Sequence, residues 1–319
     1  MNANGRMKIG VISAGKVGSA LASALRGQGH MIIGAYAGSE SSIDRLETML
    51  PGVPALSVEE IVQNSELVLL AVPDDELPGL VKGIAKIGLW RPGQIAVHTA
   101  GHYGVNVLQP AQEAGALCLA IHPAMTFTGT SLDVARLQGC PFAVTALAPY
   151  QAIGHALAAE MGGTSVVIAE EHRKIYHAAL THGANHLVTL VAQAMKMLAA
   201  IGVDEPGQYL QPLTAASLEG ALSSGDSLLT GPIVRADVRT VAGHLDVAET
   251  LSREIPQLAD LDFTYRAIAM ATVNRARERK VLNAHQAQEL TEILGKISDS
   301  ENYADGSDKA NSSGIQQED

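Results

Sequence analysis

The amino-acid sequence predicts an α/β fold, with a doubly wound parallel sheet in the first half and an all-α C-terminal domain in the second. Short β-rich runs alternate with helical stretches up to Ala169, as in parallel sheets that helices cover on both faces. A glycine turn joins the first of these runs to an Ala-rich helix. Beyond Ala169 no strand-like alternation remains, so we place a domain boundary there.

Seven runs carry the strand pattern: Lys8–Ser13, Met31–Tyr36, Leu67–Val72, Gln94–His98, Leu117–His122, Phe142–Thr145 and Ser165–Ala169. Helices are predicted between them at Val17–Arg26, Asp75–Ile87, Gly104–Ala114 and Pro149–Met161, and after them at Glu170–Ile201, Pro212–Ser223, Ala236–Asp246 and Leu258–Arg279. Ligands of doubly wound sheets bind at the carboxyl ends of the strands. Functional residues are therefore expected in the loops that follow the strands.

The composition limits the classes of function. A chain of 319 residues, 47% of them hydrophobic, suits two domains with large cores. Its net charge of −11 argues against nucleic-acid and anionic-membrane partners, and no uncharged apolar run reaches the roughly 18 residues of a membrane span. Two cysteines give neither a disulfide framework nor a metal quartet, and no signal peptide precedes the first strand. We therefore expect a cytoplasmic protein.

The end of the chain forms a segment of its own. Residues 298–319 contain six acidic residues and one lysine and almost no aliphatic side chains. A segment of this composition cannot bury enough apolar surface to fold, so it is predicted to be a disordered acidic tail. Both an interaction tail and a solubilising end fit it.

The glycine turn predicts a dinucleotide site. It has the sequence Ser13-Ala14-Gly15-Lys16-Val17-Gly18, with serine at the first position of the Gly-x-Gly-x-x-Gly pattern. Glycines in such a turn let the backbone approach a pyrophosphate, and the N-terminus of the following helix faces the phosphate charge. We expect all six residues to contact the cofactor.

The second strand decides between the two nicotinamide cofactors. A site for NAD usually has an acidic residue at the end of this strand, but Tyr36, Ala37 and Gly38 stand there, which favours NADP. Ser39 is expected to bind a 2′-phosphate; the expected arginine is absent, and Glu40 argues for NAD. Three further residues are expected to line the cofactor after the next two strands, namely Val72, Pro73 and Thr99.

Polar residues for the reaction follow the fifth strand and occupy the long helix after it. His122 and Thr126 lie at the strand end, and a histidine there can donate a proton to a carbonyl or imine, although a histidine satisfied by backbone is the alternative. Asn185, in a polar stripe on the helix, is expected to contact the substrate. Arg235 can clamp a carboxylate or form a structural ion pair. His182 and His186 have a zinc-like spacing but no third ligand, so no metal is expected.

Together these motifs resemble the Rossmann-like proteins with a C-terminal domain of unknown function, number 2520. The resemblance rests on Ala-Val-Pro-Asp-Asp, His-Thr-Ala-Gly, His-Pro-Ala-Met-Thr-Phe-Thr-Gly, Tyr-His-Ala-Ala and Thr-Gly-Pro-Ile-Val-Arg-Ala-Asp in addition to the glycine turn, and runs from about residue 7 to 295. The family is similar in plan to 6-phosphogluconate dehydrogenase-like enzymes, pyrroline-5-carboxylate reductases and ketopantoate reductases. It implies an NAD(P)-binding Rossmann domain at residues 7–169 and a helical substrate and dimerisation domain at residues 170–297. It also implies a homodimer through the helices and an active site in the cleft between the domains.

One departure from that plan bears on the reaction. Ketopantoate reductases and hydroxyacid dehydrogenases of this plan use a Lys-x-x-x-Asn pair, and the aligned residues here are Thr181 and Asn185. Threonine cannot act as a charged proton donor, which brings His122 forward. Pyrroline-carboxylate reduction needs less from the protein, because the imine arrives protonated, and His-Pro-x-Met is similar to a string in prephenate dehydrogenases.

We therefore expect an NADP(H)-dependent oxidoreductase that reduces a small carbonyl or imine acid. His122 would assist proton transfer, Asn185 would orient the substrate and Arg235 would hold its carboxylate. The substrate classes left open are ketopantoate-like, pyrroline-carboxylate-like and prephenate-like acids. A non-catalytic NADP(H)-binding sensor or partner-binding protein is the alternative, because Thr181 replaces the lysine.

Overall fold

The structure, a computed structural model, describes residues 5–295. The predicted acidic tail at 298–319, and the last residues of the predicted second domain, lie outside the described residues. Contacts divide the chain into two units, Met1–His186 (unit 1) and Leu187–Asp319 (unit 2). The predicted domain boundary after residue 169 precedes this division, and the predicted domain limits themselves stay predictions.

Unit 1 is built on one seven-stranded sheet with the order β2-β1-β3-β4-β5-β6-β7. The strands are β1 (Lys8–Ile12), β2 (Met31–Tyr36), β3 (Leu67–Leu70), β4 (Ile95–His98), β5 (Leu117–Pro123), β6 (Pro141–Ala146) and β7 (Thr164–Val167). All seven predicted strands are thus confirmed, with ends shifted by one or two residues. The chain leaves β1 toward β2 on one side and returns to β3 on the other, which creates a topological switch point at β1 and β3.

The sheet is mostly parallel, as predicted, but its last two strands run opposite to the first five. The first five strands are parallel, but β6 pairs with β5 in antiparallel orientation and β7 is parallel to β6. A parallel pair needs a crossover, usually a helix that returns the chain to the other edge of the sheet. Between β5 and β6 the chain forms only the five-residue helix Leu132–Arg136. The chain therefore enters β6 at the same end of the strands at which it leaves β5.

Helices cover both faces of the sheet, as predicted. They are α1 (Lys16–Gly27), α2 (Glu40–Met49), α3 (Val58–Asn64), α4 (Leu77–Lys86), α5 (Gln109–Glu113), α6 (Leu132–Arg136) and α7 (Gln151–Glu160). Alternate side chains of each central strand point to opposite faces. Val11 and Leu69 thus pack in one core with Leu21 of α1, whereas Ile12 and Leu70 pack in the other with helices α3 and α4.

The sequence analysis missed three of these helices, namely α2, α3 and α6. Helices α2 and α3 both begin at a capping box, in which a serine side chain accepts a hydrogen bond from the N–H of the third helical residue. The side chain of that residue accepts a hydrogen bond from the N–H of the serine in return. The boxes are Ser39 with Ser42 and Ser57 with Glu60. The pattern Ser-x-x-Glu before α3 is the sequence signal that could have identified it.

The predicted helix Glu170–Ile201 is confirmed as a helical segment but is not uniform. It consists of α8 (Arg173–Leu180), a π-helical turn at Thr181–Asn185 and α9 (His186–Ala200). A π turn inserts one residue per turn into a helix and often marks a functional region. The division between units 1 and 2 falls directly after this turn.

In the described residues, unit 2 contains α9 and four further helices. Three of these four share an apolar core, and the fourth contributes no buried residue. Helices α11 (Val238–Glu254), α12 (Leu261–Glu278) and α13 (Ala284–Leu294) share one apolar core. Helix α10 (Pro206–Ser224) has no buried residue. It begins six residues before the predicted start at Pro212, because Pro206 fits the first helical turn and Pro212 is tolerated within the helix. None of the helices in residues 5–295 is long and apolar enough to cross a membrane.

Candidate functional site

The glycine turn between β1 and α1 is tight enough to restrict its residues. Ser13 has a left-handed backbone with a φ of 85°, a conformation that glycine adopts without steric cost. A Cβ added to Gly18 would lie 2.2 Å from the carbonyl oxygen of Ser13 and 3.1 Å from Cβ of Ala71. The turn therefore accepts serine at the first glycine position with strain, and it leaves no room for a side chain at Gly18.

The first turn of α1 presents backbone N–H groups without a side-chain cap. Its N-cap residue is Gly15, which has no side chain to accept their hydrogen bonds. The first N–H groups of a helix lack partners within the helix and carry the positive end of its dipole. Around them Ala14 is buried, Val17 is half-buried and Lys16 is exposed. This arrangement fits the phosphates of a dinucleotide.

Two basic side chains flank the turn, and the sequence analysis missed one of them. Arg45 of α2 donates a hydrogen bond from Nη1 to the carbonyl oxygen of Ala14 at 3.3 Å. A Cβ built on Gly129 would lie 2.9 Å from Nε of Arg45 and 2.9 Å from Cγ of Lys16. The loop after β5 therefore packs against both side chains. The sequence analysis noted the absence of an arginine after β2; it did not consider Arg45, because the helix that carries Arg45 was not predicted.

Asp133 holds the loop after β5 in its conformation. Its carboxylate accepts hydrogen bonds from the N–H groups of Thr128 at 3.0 Å and Gly129 at 2.7 Å, and from the Thr128 hydroxyl at 2.8 Å. Burial raises the pKa of Asp133, but these hydrogen bonds outweigh burial and leave the pKa below its ordinary value. Thr126, a predicted reaction-site residue, lies in this loop with an exposed side chain.

The other predicted cofactor residues follow β2, β3 and β4. Ser39 is exposed, and its hydroxyl oxygen caps α2 by accepting a hydrogen bond at 3.3 Å. Val72 is half-buried and Pro73 is exposed, whereas Thr99 is buried and donates its N–H to the last carbonyl of β3 at 3.1 Å. These strands are parallel, so the four residues share the carboxyl edge of the sheet with the glycine turn.

His122, near the end of β5, pairs with a tyrosine of α8. Its Nδ1 lies 2.8 Å from the hydroxyl oxygen of Tyr176, and the two rings meet edge to face. Its Nε2 has no hydrogen-bond partner within residues 5–295 and is accessible to solvent. A Cβ built on Gly101 would lie 2.9 Å from this Nε2. Glycine in the loop after β4 therefore leaves space for the ring.

Arg173, on the same helix as Tyr176, lies beneath this pair. Its side chain is only 1% exposed, donates from Nε to the Thr145 hydroxyl at 2.7 Å and from Nη2 to carbonyl oxygens of β5 and β6 at 2.9 and 3.2 Å. The guanidinium also lies 5.8 Å from the centre of the Tyr176 ring. Its Nη1 is buried without a partner. In the described part of the chain no carboxylate forms an ion pair with it.

The electrostatics of the site oppose a charged His122. Burial, followed by the neighbouring Arg173 and His177, lowers the pKa of His122 to about 4. Burial lowers the pKa of Arg173 to about 10 and raises that of Tyr176 to about 12. At neutral pH the site therefore holds a neutral imidazole, a neutral phenol and a cationic guanidinium.

Two further histidines border the pair, and a third supports the loop after β4. His177 lies edge to face with both His122 and His102, at ring separations of 6.1 and 6.3 Å. His98 is buried, donates from Nε2 to the carbonyl oxygen of Gly104 at 2.8 Å and accepts the N–H of Ala100 at Nδ1. Burial lowers the pKa of His98 to about 3, so this histidine is a structural, neutral one.

The remaining candidates lie elsewhere in the fold. Asn185 is exposed at the end of the π turn, and Arg235 belongs to unit 2, where it is exposed in the turn before α11 rather than in its first helical turn. Nδ1 atoms of His182 and His186 lie 3.0 Å apart. Within the residues that the structure describes, no group of three or more His, Cys, Asp or Glu side chains is placed to hold a metal.

Comparison with protein families gives two adjacent matches. Residues 2–123 match the family model of a Rossmann-like domain, and residues 140–272 match that of a domain of unknown function, DUF2520. The second match begins within the predicted first domain and ends before the predicted end of the second. No curated protein matches the chain.

Solved structures show the same fold at low sequence identity. A protein from Bacteroides fragilis, provisionally named an NADP oxidoreductase, is 22% identical with a TM-score of 0.68 over 83% of this chain and 98% of its own. Pyrroline carboxylate reductase from Plasmodium falciparum, solved with NADP bound, is 11% identical with a TM-score of 0.52 over 90% and 98%. An imine reductase from Streptomyces aurantiacus is 16% identical with a TM-score of 0.56 over 89% and 99%.

Proposed function

The chain belongs to the proteins that join a Rossmann-like domain to a DUF2520 domain, and from this premise we propose that it is an NADP(H)-dependent oxidoreductase that reduces a small carbonyl or imine acid. One observation carries the proposal. The uncapped N-terminus of α1 and the His122–Tyr176 pair both stand at the carboxyl edge of one sheet. Groups suited to bind phosphate and to transfer a proton thus both lie where sheets of this kind bind their ligands, which supports the proposal.

The basic side chains at the glycine turn support NADP as the cofactor. Arg45 and Lys16 supply two positive charges next to the turn, and no acidic residue ends β2. A guanidinium binds phosphate oxygens strongly, whereas a site for NAD uses a carboxylate on the ribose hydroxyls. Of the structurally similar proteins, the one from Bacteroides fragilis is named as an NADP oxidoreductase, and the pyrroline carboxylate reductase was solved with NADP bound. We assign the 2′-phosphate to Arg45 and Ser39.

The uncharged side chains of His122 and Thr181 support an imine acid among the open substrate classes. Thr181 cannot deliver a proton as lysine does, and His122 is not charged at neutral pH. An imine nitrogen is more basic than a carbonyl oxygen, so it takes the proton that it needs from a neutral donor most easily and asks least of these residues. Two of the structurally similar proteins are a pyrroline carboxylate reductase and an imine reductase. Ketopantoate-like and prephenate-like acids require more from the site.

Each residue has a role that its chemistry allows. When bound, the nicotinamide supplies the hydride. Backbone N–H groups of the first turn of α1 hold the phosphates, and Val72, Pro73 and Thr99 line the cofactor. His122 stands in contact with the reacting group and assists proton transfer, with Thr126 in the following loop. We assign orientation of the substrate to Asn185 and the clamp on its carboxylate to Arg235.

Binding and turnover test the proposal separately. NADPH and NADH are titrated into the full-length protein, and NADPH oxidation is then screened with 2-oxo acids and cyclic imines. Tighter binding of NADPH than of NADH, with turnover of an imine acid, is the expected result. Tight NADPH binding without turnover of any substrate would favour the alternative, a non-catalytic sensor, and no binding of either nucleotide would refute both.

Replacement of Arg45 by alanine is expected to remove the preference for NADPH. Loss of a charge-assisted contact with the 2′-phosphate should weaken NADPH binding by about 10- to 100-fold, while NADH binding stays unchanged because NADH lacks that phosphate. Isothermal titration calorimetry measures both. The control is Arg26→Ala, since Arg26 also bonds a backbone carbonyl, that of Pro51 at 2.9 Å, but lies at the far end of α1. Equal loss of both nucleotides would show that Arg45 only supports the turn.

Helix α10 supports a homodimer through the helical domain. None of its residues is buried, yet Tyr209 and Leu213 are exposed on one face and Leu218 and Leu222 on the opposite face. A helix that is apolar on opposite faces is stable only when other helices surround it. A second copy of the chain would supply them.

Replacement of Leu213 by glutamate is expected to convert a dimer into monomers, because it places a charge in the apolar interface that α10 would form. Light scattering of the purified protein should give twice the chain mass for the unmodified protein and the single mass for this variant. Ile87→Glu is the control, since Ile87 is also an exposed aliphatic residue but belongs to unit 1. A monomeric unmodified protein would contradict the assignment.

A further inference from the structure

The buried guanidinium of Arg173 calls for a functional explanation. An unpaired charge in the interior destabilises a fold strongly unless every polar atom is satisfied. Arg173 has three hydrogen bonds to neutral oxygens, but its Nη1 has none, and no carboxylate pairs with it in the described residues. The carboxylate of Glu170 raises the pKa of Arg173 but forms no ion pair with it. The guanidinium is therefore left to stabilise a negative charge that forms beside it during a reaction.

The side chain placed to carry such a charge is Tyr176. The Arg173 guanidinium lies 5.8 Å from the centre of its ring, and the positive charge acts to lower the pKa of the phenol against the opposing effect of burial. The hydroxyl contacts His122 at Nδ1, and Nε2 on the other side of that imidazole reaches the surface. A continuous path thus runs from the phenol through the imidazole to its accessible Nε2.

His122 cannot act alone as a proton donor in these surroundings. The titratable groups around its ring are Arg173, Tyr176 and His177 on α8 and His98 at the end of β4. None of these groups carries a negative charge at neutral pH, and burial, Arg173 and His177 all oppose an imidazolium. A neutral imidazole can give up its Nε2 proton only if it receives another at Nδ1.

We propose that Tyr176, His122 and Arg173 form a proton relay, in which His122 passes its Nε2 proton to the substrate while it takes the hydroxyl proton of Tyr176 at Nδ1. This inference rests on the proposed function and names the source of the proton that the substrate receives. The bond between Nε2 and its proton breaks as the substrate oxygen or nitrogen gains that proton. The phenol O–H bond breaks as Nδ1 gains the second proton. The products are a neutral His122 of the opposite tautomer and a phenolate that the Arg173 charge stabilises, and water later returns one proton to Tyr176 through His122.

The relay makes a claim about the resting protein that needs no substrate. In the full chain labelled with ¹⁵N-histidine, His122 should be neutral from pH 6 to 8 and carry its proton on Nε2, with the Tyr176 hydroxyl as the donor to Nδ1. Comparison with His122→Asn assigns the signal in long-range ¹H–¹⁵N spectra. A proton on Nδ1 would overturn the proposal, because the hydrogen bond would then run from His122 to Tyr176.

Arg173 variants test the charge. Arg173→Met should raise the pKa of His122 by about one pH unit, because a neighbouring positive charge is removed, whereas Arg173→Lys should leave it low. Equal His122 titrations in the two variants would contradict the role of Arg173. If Arg173→Met does not fold, two measurements still decide the proposal. A raised His122 pKa in the Arg173→Lys variant would overturn it, and so would a proton on Nδ1 of His122 in the unmodified chain.

Turnover tests Tyr176 with a matched control. Tyr176→Phe should lower kcat about 100-fold without changing NADPH affinity, and should turn a curved proton inventory in H₂O–D₂O mixtures into a linear one. Tyr265→Phe is the control, because Tyr265 bonds His244 Nδ1 at the same 2.8 Å in unit 2 without a buried arginine among its contacts in the described residues. Unchanged kcat in Tyr176→Phe would refute the relay. Failure of the proposed function would appear differently, as no turnover by the unmodified protein.

Discussion

Replacement of Gly18 by alanine is expected to abolish binding of NADPH and NADH alike. The added Cβ would lie 2.2 Å from the backbone carbonyl oxygen of Ser13, a distance at which the turn must open because neither partner is a movable side chain. Opening the turn moves the N–H groups at the start of α1, which hold the phosphates in the proposed function. Loss of two charge-assisted hydrogen bonds weakens binding about 100-fold or more.

The control for this experiment is Gly27→Ala. Gly27 also lies in α1, at its last residue, and a Cβ there would meet nothing within 4 Å. Fluorescence titration of both variants measures the nucleotide affinities, and circular dichroism verifies that each remains folded. A folded Gly18→Ala variant that binds NADPH as tightly as the unmodified protein would show that the phosphates bind elsewhere.

Replacement of His122 by asparagine is expected to reduce turnover by about 100- to 10 000-fold, the contribution of a positioned proton-transferring side chain, while NADPH affinity is unchanged. Asparagine keeps a hydrogen-bonding group near the position of Nδ1 but has no atom at Nε2. The variant therefore preserves a contact with Tyr176 and removes the group that faces the substrate. Steady-state rates with the substrate found in the screen give the comparison.

His155→Asn is the matched control for this second experiment. His155 lies on α7 and also makes one side-chain hydrogen bond through Nδ1, to the hydroxyl of Ser165 at 2.7 Å. Its replacement should leave kcat unchanged. Turnover by His122→Asn within about twofold of the unmodified rate would remove His122 from the mechanism, since even weak general acid–base catalysis contributes more than this.

Local signals predicted the framework of unit 1 well. Each strand was visible as a short apolar run, because a strand buried on both faces needs apolar side chains at nearly every position. The direction of β6 was not visible, because it depends on whether the connection from β5 crosses the sheet, and the five-residue helix in that connection was not predicted. The glycine turn was recognised because both its spacing and its place between strand and helix are local properties.

The reaction site shows where local reasoning ends. His122 was identified because it follows a strand, but its partner Tyr176 lies 54 residues further along the chain. Arg45 was missed together with α2. The serine that caps this helix, Ser39, was considered only as a ligand of the 2′-phosphate. Arg173 gave no signal, since an arginine in a helix is normally exposed and only the packing of α8 on β5 and β6 buries it.

The sequence by itself determined the succession of strands and helices, the glycine turn and the family resemblance, because each is encoded in neighbouring residues. The family comparison confirmed the resemblance. The tertiary structure decided which charges act on the site. It placed Arg45 beside the glycine turn and Arg173 beneath His122, from segments far from both in the chain. Electrostatic effects depend on distance and burial, and folding sets both, so the proton relay inferred for this protein became apparent only from the folded chain.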